Sequence, residues 1–148
     1  MVSTEELQSD LDERLERLRV DDELNLRCDI RIAGTAHGPH VVSIDIQAHA
    51  LKIPDANRII QDIGRVLLGF DADVILDLSP FPGLSSMGVN GLARIAANGK
   101  NFHRVVYVSE LCEPIRELLH VTNMHQIIGI TDTVEEAVKQ VCSSSGTG

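Results

Sequence analysis

The period of the apolar positions divides the chain into segments. Leu7, Leu11, Leu15 and Leu18 recur at helical spacing with mostly charged residues between them. Ser3-Thr4-Glu5-Glu6 ahead of them reads as a capping box, with Val2 and Leu7 as its hydrophobic staple. An amphipathic N-terminal helix over residues 1–22 is predicted. Its narrow leucine stripe suits either packing on its own domain or pairing with a second copy or another partner. From Leu24 the period becomes two. Leu24, Leu26, Cys28, Ile30 and Ile32 alternate with Asn25, Arg27, Asp29 and Arg31, as in a strand with one wet face. A turn-rich stretch, Gly34 to Pro39, leads to a second alternating run at Val42, Ile44 and Ile46, so the pair reads as an antiparallel hairpin.

After Pro54 the helical period returns, with Ala56, Ile60, Ile63 and Leu67 on one face. Val74-Ile75-Leu76-Asp77-Leu78 is a short apolar run of the kind found in strands buried on both faces. A helix from Ser86 to about Asn98 follows, then a strand at Val105–Val108 and a helix at Cys112–His120. A strand at Ile127–Ile130 and a helix at Thr133–Cys142 complete the alternation. Strands alternating with helices imply right-handed crossovers and parallel pairing. The predicted fold is α/β: a mixed five-stranded sheet packed with about four helices, over residues 23–142. The small polar tail, 143–148, is expected to be disordered.

Charge alters this picture mainly at one end. Residues 1–25 hold nine acids and three arginines, whereas the whole chain has 22 acids and 13 bases, net −9. A nearly neutral body with an acidic leader offers none of the basic footprint of a nucleic-acid binder. With no Trp, one Tyr and three Phe, base-stacking platforms are not expected either. No apolar run approaches the roughly 20 residues that span a bilayer, and the N-terminus resembles no secretory signal. A cytoplasmic protein without membrane insertion is expected. Cys28, Cys112 and Cys142 are widely spaced, without a C-x-x-C pair, and read as reduced packing residues.

The chemistry-bearing stretch runs from Asp77 through Ser79-Pro80-Phe81-Pro82-Gly83-Leu84-Ser85-Ser86-Met87-Gly88-Val89-Asn90-Gly91. It leaves a buried strand at its carboxyl end, where open α/β sheets meet ligands and partners. Ser86 stands where an N-cap is expected. A hydrolase elbow needs glycine two residues before and after one serine. Ser85 has Gly83 and Met87 there, and Ser86 has Leu84 and Gly88, so neither fits. Gly99-Lys100-Asn101 lacks the first glycine and the hydroxyl of a phosphate-binding loop. A phosphorelay receiver would make Asp77 its acceptor. It would also need an acidic pair after the first strand and a lysine after the last, where this chain has single acids (Asp29, Asp45) and Asp132. His37 and His40 read as turn histidines, and Asp71-Ala72-Asp73 as a solvated loop. No metal site or cofactor is expected.

With that order of elements, "VILDLSPFPGLSSMGVNGL" at the third strand and "TVEEAV" in the last helix, the chain resembles the STAS domain family, the anti-sigma factor antagonists. The resemblance spans roughly residues 24–142. The family's phosphoacceptor loop reads approximately Asp-Ser-[Ser/Thr/Ala]-Gly-Leu-Gly. Its Asp falls on Ser85, its phosphorylated Ser on Ser86, the next residue on Met87, its first Gly on Gly88, its Leu on Val89 and its last Gly on Asn90. The resemblance implies a STAS-like fold and a non-enzymatic partner-switching module. Such a module binds a serine kinase that is also an anti-sigma factor, and phosphorylation at Ser86 (alternatively Ser85) releases it. The binding surface so implied comprises Ser85, Ser86, Met87, Gly88, Asn90 and Gly91. Transcription regulation is the implied process. A STAS scaffold that is never phosphorylated, stressosome-like or transport-associated, is the alternative.

Overall fold

The structure is a computed structural model that describes residues 6, 9, 10, 13, 28–32, 41–48 and 51–146. Four strands pair in parallel: β2 (Val41–Ala48), β3 (Asp73–Asp77), β4 (Val106–Ser109) and β5 (Gly129–Ile130). β1 (Cys28–Ile32) lies antiparallel beside β2, with Cys28 opposite Ala48 and Ile32 opposite Ile44. The order across the sheet is the order along the chain. Each parallel neighbour is reached by a helix: α1 (Ile53–Val66), α2 (Ser86–Asn101) and α3 (Glu113–Val121), with α4 (Val134–Gly146) after β5.

The pleat sends alternate side chains to opposite faces of the sheet. Val42, Ile44 and Ile46 join Val74, Leu76, Val106 and Val108 in the larger core, against residues of α1, α2 and α3. Val41 and Ile75 point the other way and pack with Ala137 and Val141 of α4. Covered faces on both sides explain why β3 lacks alternation: Val74, Ile75 and Leu76 are all buried.

α1 and α2 are fastened at both ends by asparagines. At the far end, Asn98 of α2 donates to the carbonyls of Leu67 (2.9 Å) and Phe70 (3.1 Å) and accepts from the Gly69 N–H (2.8 Å). Asn98 thus closes the turn that ends α1, where Gly69 has φ +74°, a conformation that favours glycine. Below it, Arg104 bonds Asp71 at 2.6 Å, and the buried Asp73 accepts the Val105 N–H at 2.9 Å. The Asp71-Ala72-Asp73 stretch is therefore only half a solvated loop. Asp71 is exposed, but Asp73 opens β3 and ties it to β4.

Two boundaries differ most from expectation. β5 holds two residues rather than four. A 3₁₀ turn, Met124–Gln126, draws the amides of Ile127 and Ile128 onto the Met124 carbonyl (both 3.0 Å), which removes those residues from the strand. α4 continues four residues beyond the expected end at Cys142, so Ser143–Gly146 are helical where a disordered tail was expected. No proline or early glycine interrupts that run before Gly146, and a helix propagates at little cost once formed. Of the predicted N-terminal helix, Glu6, Ser9, Asp10 and Glu13 are helical. The leucine stripe, the turn at Gly34–Pro39 with His37 and His40, and the strand positions Leu24 and Leu26 lie outside the described residues. Among the described residues, no helix is long and apolar enough to cross a membrane.

Candidate functional site

The loop from β3 to α2 is set from below by its own hydrogen bonds. The Asp77 carboxylate accepts the Ser79 N–H at 2.9 Å, turning the chain as it leaves the strand. The Leu78 amide still reaches the Ser109 carbonyl of β4 (3.1 Å), and the Phe81 amide reaches the Leu78 carbonyl (3.0 Å). Leu78, Phe81 and Leu84 are buried and anchor the loop to the core. On one flank the Cys112 thiol donates to the Pro82 carbonyl at 3.6 Å. On the other, Ile53 packs so closely that a Cβ on Gly83 would stand 3.2 Å from its Cδ1. The loop is therefore wedged between the starts of α1 and α3.

The N-cap of α2 is Ser85, not Ser86. Ser85 has extended backbone (φ −110°, ψ −172°), and its carbonyl accepts the first helical bond, from the Val89 N–H at 3.1 Å. Either serine of the pair is chemically competent to cap. The choice is made by a residue 28 positions away: the buried Asn57 of α1. Asn57 accepts the Ser85 N–H through Oδ1 (3.0 Å) and donates through Nδ2 to Ser85 Oγ (2.7 Å). That reciprocal pair fixes Ser85 at the boundary and occupies its hydroxyl oxygen, which makes no capping bond of its own.

Ser86 is consequently the first residue of the helix. Its side chain is exposed and makes no hydrogen bond among the described residues. Met87 beside it is 55 % exposed, and Asn90, one turn along, is exposed too. Ile53, at the flank of the same loop, is a further exposed apolar side chain. A hydroxyl thus stands at the positive end of a helix, bordered by exposed and adaptable apolar groups.

The two glycines expected on that surface lie elsewhere. Gly88 and Gly91 are buried against α1. A Cβ on Gly88 would come within 2.5 Å of Asn57 Oδ1 and 2.7 Å of Leu84 Cδ2. One on Gly91 would come within 2.7 Å of Ile60 Cγ2 and 3.3 Å of the Gln61 backbone nitrogen. They let α1 and α2 touch, which is their structural work here, and Gln61 adds a side-chain bond to the Met87 carbonyl (3.4 Å). Of the expected contact residues, Ser86, Met87 and Asn90 face outward, Ser85 is half-buried, and Gly88 and Gly91 face inward.

Sequence reasoning missed Asn57 and Asn98. Their signal was available in outline: each is an amide carried into an otherwise apolar helix face, and buried amides require partners. Among the described residues no cluster of three or more histidine, cysteine or carboxylate side chains is placed to hold a metal. The His120 and His125 rings lie with centroids 4.7 Å apart, tilted by 38° to one another.

Comparison with known proteins defines the class. The family model of the STAS domain matches residues 2–137, so the chain belongs to that family. The match takes in the acidic N-terminal segment, which the sequence reading set apart. Similar folds occur in a Thermotoga maritima protein proposed to be an anti-sigma factor antagonist (TM-score 0.59, 21% identity, covering 76% of this chain and 92% of that one). They occur also in an anti-sigma factor antagonist from Mycobacterium paratuberculosis (TM-score 0.57, 20% identity, 77% and 93% covered). A third is an anti-sigma-factor antagonist domain protein from Planctomyces limnophilus (TM-score 0.59, 21% identity, 76% and 97% covered).

Proposed function

We propose that this chain is a partner-switching module, an anti-sigma factor antagonist whose contact with a serine kinase is governed by phosphorylation of Ser86. The observation that carries the reading is the division of labour between adjacent serines. Asn57 occupies Ser85, while the Ser86 hydroxyl stands exposed on the first turn of α2. A visiting kinase must draw its acceptor oxygen into its own site, and Ser86 is the hydroxyl free to go. Membership of the STAS family supports the reading, as does the description of its structural neighbours as anti-sigma factor antagonists.

The physics of the switch is asymmetric. A phosphate brings nearly two negative charges and strong acceptors. On this chain it would sit at a helix N-terminus, where free amides and the macrodipole favour an anion. The domain therefore keeps its fold when modified. The penalty falls on the partner, whose contact with Ser86, Met87 and Asn90 would have to bury that charge. ATP, magnesium and general base belong to the kinase. The chain is a binding module rather than an enzyme in this reading.

Phosphopeptide mapping of the protein isolated from its own cells tests the assignment. One phosphate on Ser86, lost in Ser86→Ala and retained in Ser85→Ala, is expected. Undiminished stoichiometric phosphorylation of Ser86→Ala would overturn it.

A further inference from the structure

A second site lies at the other end of α2, remote from Ser86. A groove of about 650 Å3 runs between the C-terminal half of α2, the lower part of β4 and the turn into β5. That volume falls within the roughly 300–1,000 Å3 of small-ligand sites. One wall is a smooth helix face of Ala93, Ala96 and Ala97. The opposite wall is Ile127 and Ile128, and Ile127 is 56 % exposed. Small residues on one side face branched apolar ones on the other, so both walls offer apolar surface to a hydrocarbon.

The formally charged side chains lining this groove, Lys100 and Arg104, share one sign. Its lining contains Lys100, His103 and Arg104 and no carboxylate, in a protein where acids outnumber bases by 22 to 13. Arg104 is neutralised by Asp71 and Asp73. The side chains of Lys100 and His103 are exposed, and among the described residues they make no hydrogen bond or ion pair. The end of α2 does not require them for its carbonyls. The amides of Phe102 and Arg104 close on the Gly99 carbonyl at 3.0 and 2.7 Å, and that of His103 closes on Lys100 at 3.1 Å. Two donors thus stand unused at one end of an apolar trough.

We propose that this groove binds a medium-chain carboxylate, with the hydrocarbon along the alanine face and the carboxylate on Lys100 and His103. This site does not depend on the Ser86 switch. The ligand is a free acid rather than the headgroup of a bilayer lipid, because the chain has to enter the trough.

The test is an amide NMR titration of the full chain with decanoate below its micelle concentration. Decanol and acetate serve as tail-only and head-only controls. Decanoate is expected to move the amides of Ala93–Arg104 and Gln126–Gly129 and leave those of Ser85–Asn90 in place. Lys100→Gln/His103→Gln should weaken it about tenfold. Ala97→Phe, an exposed position that fills the trough, should abolish it without altering the rest of the spectrum. Decanol or acetate binding as tightly as decanoate would overturn the proposal. So would an unchanged affinity in the double variant, or no shift at these amides. Sedimentation with phosphatidylglycerol vesicles completes the test, and co-sedimentation lost in the double variant would overturn the proposal by assigning Lys100 and His103 to a membrane surface instead.

Discussion

Gly88→Ala and Asn57→Ala, alone and combined, probe how the start of α2 is held. The added methyl at position 88 would sit 2.5 Å from Asn57 Oδ1 and 2.7 Å from Leu84 Cδ2, so one neighbour has to move. Overpacking of this kind costs roughly 1–3 kcal/mol, against a gain of about 1 kcal/mol from replacing glycine in a helix. A net loss of between zero and about 2 kcal/mol is expected. Asn57→Ala removes both bonds to Ser85 and leaves that amide half-buried without its acceptor. Two hydrogen bonds at roughly 1 kcal/mol each, plus part of a desolvation penalty, give about 2–3 kcal/mol. In the double variant the truncated position 57 makes room for the new methyl, and the bond that the methyl disturbs no longer exists. The combined loss should fall short of the sum by about 1 kcal/mol. Urea unfolding of the four proteins measures this from the midpoints, provided the slopes agree. Additivity within about 0.4 kcal/mol would refute the claim that Gly88 serves the Asn57–Ser85 clamp.

Other outcomes follow from the same geometry. Ser85→Ala should cost about 1–2 kcal/mol by urea unfolding, and Ser86→Ala less than about 0.5, because only the first hydroxyl has a structural partner. Ser86→Asp should leave stability unchanged or raise it by about 0.5 kcal/mol at low salt, an effect that fades as salt is added. Asn98→Ala should cost about 2–3 kcal/mol and speed hydrogen exchange at the Gly69 amide, which loses its acceptor. Asp73→Ala should be more harmful than Asp71→Ala, since the buried carboxylate of Asp73 accepts the Val105 amide while Asp71 pairs on the surface.

What was legible in the sequence is what depends on local period. The apolar run at Val74–Leu78 identified a strand covered on both faces. Ile60 and Ile63 marked the inner side of α1, and Val89 and Leu92 that of α2. Family resemblance then directed attention to the loop before α2. Illegible were the features set by contacts between distant residues. Two adjacent serines satisfy the same capping rule, and only Asn57, 28 residues upstream, distinguishes them. Gly88 and Gly91 look like surface glycines in one dimension, because the helix face they occupy is defined by where α1 lies. Ile127 and Ile128 read as strand because the rule counts apolar residues, whereas the Met124 carbonyl captures both amides into a turn.

In the proposed switch, Ser86 is the residue through which a partner is released. Calorimetric titration of the proposed serine kinase partner against wild-type protein, Ser86→Ala and Ser86→Asp reads this directly. The alanine variant should bind as wild type does, and the aspartate variant at least about tenfold more weakly with an undiminished urea midpoint. Equal affinity for all three proteins would contradict it.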